Sequence, residues 1–286
     1  MSKVFHIGIP KSGTTTIQAI LEKDERVALS RSVYFTTSSW WTAIEEPLIK
    51  NKVNIESNET LVTGGFSKVK LNEVFKRIST LQPDAKIIVT IRQQEDAILS
   101  MFKYHIKHNF KGVKNLGNWM YNTNLGMDYL SVCMYGDLAK LLLLYFKREN
   151  IHFLFFEELK SEPNNFYDEF YNILGLTYKS ELKNSPQNIN SLTDNQLYTL
   201  TRLNLWSLTK ANSEQSLTFK KMRSLEKKVK ILIIKVLKFK CPKSFFEVKE
   251  VKGYQNLKKD YRNSNKLLAD LGFVKESKLK AYNYNI

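Results

Sequence analysis

At 286 residues the chain is long enough to bury one substantial core with a smaller appendage, and its 43% hydrophobic and 25% charged content is that of an ordinary soluble globular protein. Two cysteines, Cys133 and Cys241, argue against a disulfide framework, and Met1-Ser2-Lys3 leads into apolar sequence with no secretory h-region, so a reducing, cytoplasmic setting is expected. The net charge of +16 is uneven, since residues 201–286 hold 21 Lys or Arg against 7 Asp or Glu. Such a basic third attracts nucleic acid, an anionic membrane, an acidic glycan or an anionic nucleotide, or is simply a solvated surface.

In chain order, Val4, Phe5, Ile7 and Ile9 predict a buried strand that Pro10 stops, and Thr14 to Leu21 resumes with helical spacing. The glycine-bearing loop between them aims backbone N–H groups and a helix N-terminus at one spot, which favours a phosphate-like anion. A second short strand is expected over 31–36, followed by an aromatic and acidic stretch from Trp40-Trp41 to Glu45-Glu46. Residues 47–59 read as irregular, 60–63 as a strand ended by Gly64-Gly65, and 71–81 as a helix. Lys86 to Ile91 is the clearest strand, a nearly continuous β-branched run suited to a parallel sheet covered on both faces. Helices over 96–108 and 136–150, a strand over 151–156 and a helix from Pro163 to Leu174 closed by Gly175 follow.

This alternation predicts an α/β fold, a three-layer arrangement about a central parallel sheet over residues 1–176 with ligands at the C-terminal strand ends. Residues 177–286 are expected to form a largely helical, basic region that completes the cofactor and acceptor site. Within 219–239, Met222, Leu225, Val229, Leu232, Val236 and Phe239 make one apolar stripe flanked by Lys221, Lys228 and Lys235. Packing on the core is the expected use of that stripe, and contact with an anionic membrane surface is the alternative.

Two stretches carry the chemistry. Gly8 and Gly13 have the separation of a triphosphate-binding P-loop, but Thr14 stands where that loop needs lysine, and Lys11 lies inside the loop instead. At the end of the strand 86–91, Arg92 is followed eight residues later by Ser100, so a guanidinium fork and a hydroxyl can converge on one phosphate. The loop Pro10-Lys11-Ser12-Gly13-Thr14-Thr15 resembles the 5′-phosphosulfate loop of the sulfotransferases that use 3′-phosphoadenosine 5′-phosphosulfate (PAPS). The stretch from Ile91 to Ser100 resembles their 3′-phosphate motif. The order of later elements, and Lys252-Gly253 followed by Tyr261-Arg262-Asn263-Ser264-Asn265, most resembles the bacterial and heparan-type carbohydrate branch.

That resemblance implies a P-loop-like fold with five parallel strands and in-line transfer of a sulfonyl group from PAPS to a hydroxyl or amine. It assigns PAPS binding to Lys11, Ser12, Gly13, Thr14, Thr15, Thr16, Arg92, Ser100, Lys252 and Gly253, with Lys11, Thr14 and Thr15 meeting developing negative charge. No metal is implied, and His6, His105, His108 and His152 are scattered. Glu45 and Glu46 are the leading general-base candidates; related bacterial sequences carry an acidic residue where this chain has Gly64-Gly65. His6 is expected in the core, and His105 on a helix surface or near the nucleotide. The implied acceptor is a carbohydrate or glycolipid, as in a bacterial surface polysaccharide, with peripheral membrane contact compatible. Two other classes stay open: a P-loop kinase or NTPase, and an anionic-surface or nucleic-acid binding module in the basic third, although no nucleic-acid-binding motif is visible.

Overall fold

Short runs of apolar and β-branched residues make the five strands of one parallel sheet: β1 (Val4–His6), β2 (Val27–Ser30), β3 (Val53–Ser57), β4 (Lys86–Ile91) and β5 (Ile151–Phe155). Their spatial order is β2-β3-β1-β4-β5, with β1 flanked by β3, where Val4 pairs with Ile55, and by β4, where Val4 pairs with Lys86. The chain leaves β1 toward one side of the sheet and crosses back over it between β3 and β4. The crevice at the C-terminal ends of these three strands is therefore the place for a ligand. The structure is a computed structural model and describes residues 3–31, 47–63, 71–108, 113–182, 192–204, 228–230, 232–234, 236 and 239–286.

The helices between and after the strands are α1 (Thr14–Leu21), α2 (Thr60–Thr63), α3 (Leu71–Leu81), α4 (Gln94–Lys107), α5 (Leu116–Asn122), α6 (Asn124–Val132), α7 (Tyr135–Leu143), α8 (Phe156–Ser161), α9 (Pro163–Leu174), α10 (Asp194–Asn204), α11 (Tyr254–Asp270) and α12 (Glu276–Ala281). One face of the sheet presents Val4, Ile55, Ile88 and Leu154 to Ile17, Ile20 and Leu21 of α1 and to Phe166 and Phe170 of α9. Strand alternation turns Phe5, Ile87 and Val89 to the other side, where they are also fully buried. The parallel sheet is thus covered on both faces, as the nearly continuous apolar run of β4 requires. Truncating Ile88 to alanine at its centre costs about 2–5 kcal/mol.

The chain divides into two compact units, Met1–Ala97 with Val132–Gln187 and Lys258–Ile286, and Ile98–Ser131 with Asn188–Leu257. The first contains the sheet. It also contains most of α11, which the sequence resemblance singled out at Tyr261 to Asn265. There Ser264 Oγ accepts from the Gly136 N–H at 3.0 Å and donates to Asp137 Oδ2 at 2.7 Å, and Asn265 Oδ1 accepts from Gln94 at 2.7 Å, so these residues tie α11 to the starts of α7 and α4. The second unit is built on rings: Phe102 lies 5.8 Å from Trp119 and 5.9 Å from Phe246, and Trp119 Nε1 donates to His105 Nδ1 at 2.7 Å. His105 is 2% exposed, a core residue rather than one on the helix surface.

Two local expectations are corrected. Residues 53–57, expected to be irregular, form β3, and 60–63, expected to be a strand, form the single turn α2. β3 was hidden because Asn54, Glu56 and Ser57 are polar yet buried. Asn54 serves the preceding turn by accepting from the Ile49 N–H and donating to the Ile49 and Lys52 carbonyls, and Glu56 pairs with the buried Lys3 at 3.9 Å. β2 ends at Ser30, ahead of the strand expected over 31–36, of which residues 32–36 lie outside the described residues. Of the apolar stripe in 219–239, Met222 and Leu225 lie outside them too. Val229, Leu232, Val236 and Phe239 are exposed, so the expected packing on the core does not occur at these four.

Candidate active site

The loop after β1 is shaped by its own residues. Ile7 and Ile9 N–H groups continue the ladder to Ile88 and Thr90 carbonyls at 2.9 Å each, and Ser12 then folds back, its N–H and Oγ both donating to the Ile9 carbonyl at 3.0 and 2.5 Å. Lys11 sits at φ 72°, a left-handed conformation that costs a non-glycine residue free energy and tends to persist at functional sites. Gly13, at φ 85°, stands at the N-cap of α1, and no side chain caps that terminus, so the first N–H groups and positive dipole end of α1 face the loop. A Cβ at Gly8 would lie 2.9 Å from Thr14 Oγ1 and 3.1 Å from His6 Nε2, too close for any side chain.

Arg92, just past β4, closes the cradle. Its Nη1 donates to the Lys11 carbonyl at 3.0 Å, which braces the strained turn, and its guanidinium lies 4.7 Å from the centre of the Phe156 ring. The segment is held from behind: the Tyr135 hydroxyl donates to the Arg92 carbonyl at 2.6 Å, and Glu157 accepts from the Gln93 N–H at 2.8 Å and the Tyr284 hydroxyl at 3.1 Å. His6 lies beneath the loop with its ring nitrogens 2.8 Å from Ser57 Oγ and 2.9 Å from Thr90 Oγ1, fastening β1 to both neighbours. Burial holds its pKa down to about 3, so the imidazole is neutral.

Two polar atoms in this cradle are buried without a hydrogen-bond partner, Thr14 Oγ1 and Arg92 Nε. Orphaned donors of this kind cost free energy unless a ligand meets them. With the uncapped α1 terminus and the glycine that brings the backbone close, they fit a bound phosphate-like anion. A model of the sulfotransferase domain matches residues 1–230. The chain belongs to the sulfotransferase family. It is a PAPS-dependent enzyme of that family, and its residues fit the donor's anionic groups by the orphaned atoms just described.

Solved structures similar to this sulfotransferase include a sulfotransferase from Alicyclobacillus acidocaldarius, 16% identical over 72% of this chain and 94% of that one with a TM-score of 0.48. Mouse sulfotransferase SULT7A1 complexed with PAP is 17% identical over 98% and 88% of the two chains with a TM-score of 0.42. The sulfotransferase domain from the curacin biosynthetic pathway is 12% identical over 96% and 98% with a TM-score of 0.43. No curated protein matches the chain.

In the sulfotransferase, Lys11, Ser12, Gly13, Thr14, Thr15, Thr16 and Arg92 come together around this crevice. Ser12 is buried by its bond to Ile9, whereas Thr15 and Thr16 are exposed on the first turn of α1. Ser100 is half-buried on α4, and Lys252 and Gly253 are exposed in the turn before α11, with Gly253 at φ 88°; these three belong to the second compact unit. Glu45 and Glu46 lie outside the described residues, as do Trp40, Trp41, Gly64 and Gly65. Among the described residues there is no group of three or more His, Cys, Asp or Glu able to hold a metal ion.

One acidic residue escaped the sequence reading. Glu59 follows β3, whose ladder runs on to Asn58, where the N–H donates to the His6 carbonyl at 2.9 Å. Glu59 and Lys11 therefore leave the C-terminal ends of two adjacent parallel strands. Burial pushes the Glu59 carboxyl above the ordinary glutamate value, and the Lys11 charge pulls it part of the way back. The signal was present as an acidic residue one strand away from the phosphosulfate loop, but assigning 47–59 to irregular chain left Glu59 without a strand end to stand on.

Proposed function

We propose that the sulfotransferase moves the PAPS sulfonyl group to a hydroxyl or amine of a carbohydrate or glycoconjugate, with Glu59 as the general base. PAPS, when bound, supplies the sulfonyl group, whose bond to the 5′-phosphate oxygen breaks as the acceptor oxygen bonds to sulfur. Lys11, Thr14 and the N-terminal N–H groups of α1 stabilise negative charge on the leaving phosphate and the equatorial oxygens. Arg92 holds the 3′-phosphate, the role the resemblance implies for it. Glu59 takes the acceptor proton, a role that a carboxyl pushed toward neutral pH performs better than a fully solvated one.

The observation that carries this reading is that Glu59, partly buried, and Lys11 leave the ends of adjacent strands beside a loop holding the orphaned Thr14 Oγ1. A carbohydrate acceptor is supported by the likeness of the later elements, and of Lys252-Gly253 followed by Tyr261 to Asn265, to the carbohydrate branch. A content of two cysteines, Cys133 and Cys241, supports a reducing, cytoplasmic setting. The test is transfer from radiolabelled PAPS to glycans and glycolipids of the source organism. Labelled glycan formed by the wild type, and lost in Glu59→Gln with nucleotide binding kept, supports the assignment. Label appearing only on small phenols or alcohols contradicts the carbohydrate class, and full activity of Glu59→Gln contradicts the base.

A further inference from the structure

The helical turns at 228–230, 232–234 and 236 belong to the second unit, and there Ile234 is 2% exposed, while Val229, Leu232 and Val236 are 46%, 64% and 76% exposed. At about 3.6 residues per turn, these three fall on one side of the helix and Ile234 on the opposite side. Phe239, 50% exposed, follows the last turn and is fixed by its N–H, which donates to Thr199 Oγ1 at 3.0 Å. Four large apolar side chains thus leave much of their surface in water, surface that a covering partner would bury.

The surrounding charge says what covers them. Residues 220–243 contain ten Lys or Arg and a single acidic residue, Glu226. Lys228 stands at the edge of the stripe and Lys240 beside Phe239, both exposed. A second copy of the chain docking this face on itself would set lysine against lysine. An anionic lipid surface offers apolar acyl chains to the stripe and negative headgroups to its lysine rim.

We propose that this face docks the protein peripherally on an anionic membrane, with Leu232, Val236 and Phe239 at the boundary between headgroups and acyl chains and Lys228 and Lys240 on the headgroups. The docking stands apart from the identity of the acceptor. It is tested by flotation of the full-length protein with vesicles of phosphatidylcholine alone and with vesicles that also contain phosphatidylglycerol. The protein floats with the anionic vesicles, does so less at high salt, and loses about tenfold or more of its partitioning in Leu232→Glu/Val236→Glu and in Lys228→Glu/Lys240→Glu. Both double variants keep wild-type affinity for 3′-phosphoadenosine 5′-phosphate, which shows that they fold. The proposal is overturned by a wild type that stays with neither vesicle, or by retention that neither double variant changes. A dimer that Leu232→Glu/Val236→Glu dissolves, with no vesicle binding, overturns it equally.

Discussion

The role proposed for Glu59 works against stability. Its folded pKa is raised, so between the ordinary glutamate value of 4.5 and the folded value the native state holds a proton that the unfolded chain has released. Stability therefore falls as pH rises through that window and stays lower above it. Glu59→Gln removes this cost, and thermal melts at neutral pH should show a higher Tm than the wild type. The same change should lower kcat by about 10²–10⁴-fold and abolish the rise of rate with pH as Glu59 ionises, which a pH–rate profile reads directly. Gly8 is the second telling position. Gly8→Ala places a methyl 2.9 Å from Thr14 Oγ1, so the loop must shift and calorimetry should record weaker binding of the bisphosphate nucleotide, about tenfold or more. His6 behaves as the sequence suggested, a neutral core imidazole with both nitrogens bonded, because β1 offers it only the hydroxyls of the two flanking strands.

At the scale of elements, legibility followed apolar continuity. β4 and β5 are largely apolar runs, interrupted inside only by Thr90 and His152, and α9 begins at Pro163 and is closed by Gly175, which adopts the left-handed φ of 73° that a helix C-terminus favours. β3 was illegible because three of its five residues are polar and were expected to face water. Glu56 and Ser57 are buried against Lys3 and His6, partners far away in sequence that no local pattern records, and Asn54 is buried by bonding the turn just before it. The stripe at 229–239 was legible as a stripe but not as to which side packs; Ile234, outside the stripe, is the side chain that does. Arg92 was readable from its place at a strand end, whereas the bracing of Lys11 through its carbonyl was not. The C-terminal residues brace the same strand end: Asn283 O accepts from Gln93 Nε2 at 3.3 Å, Tyr284 bonds Glu157, and Tyr282 and Tyr284 lie 5.3 and 5.5 Å from Phe155. Removing residues 282–286 should lower Tm and weaken nucleotide binding together, while Tyr284→Phe, which keeps the ring and loses one hydrogen bond, should cost only about 0.5–1.5 kcal/mol in denaturant titration.

At the scale of the molecule, a sheet with β1 between β3 and β4 puts three loops at one crevice, and those loops supply Lys11 and Thr14, Glu59, and Arg92. The motifs around Lys11, Thr14 and Arg92 were legible early, since they are contiguous and bound to strand ends, whereas Glu59, the proposed base, was not, since its strand could not be read. The triphosphate alternative gives way to the sulfotransferase family match over residues 1–230, in keeping with Thr14 standing where a triphosphate loop needs lysine. Calorimetry of the wild type, Lys11→Ala and Arg92→Ala with 3′-phosphoadenosine 5′-phosphate tests this most directly. The wild type should bind at micromolar strength or better, and each variant should bind about tenfold or more weakly as a charge-assisted contact is lost. A wild type that ignores the bisphosphate, or that binds magnesium–ATP in its place, would contradict a donor site built from Lys11, Thr14 and Arg92.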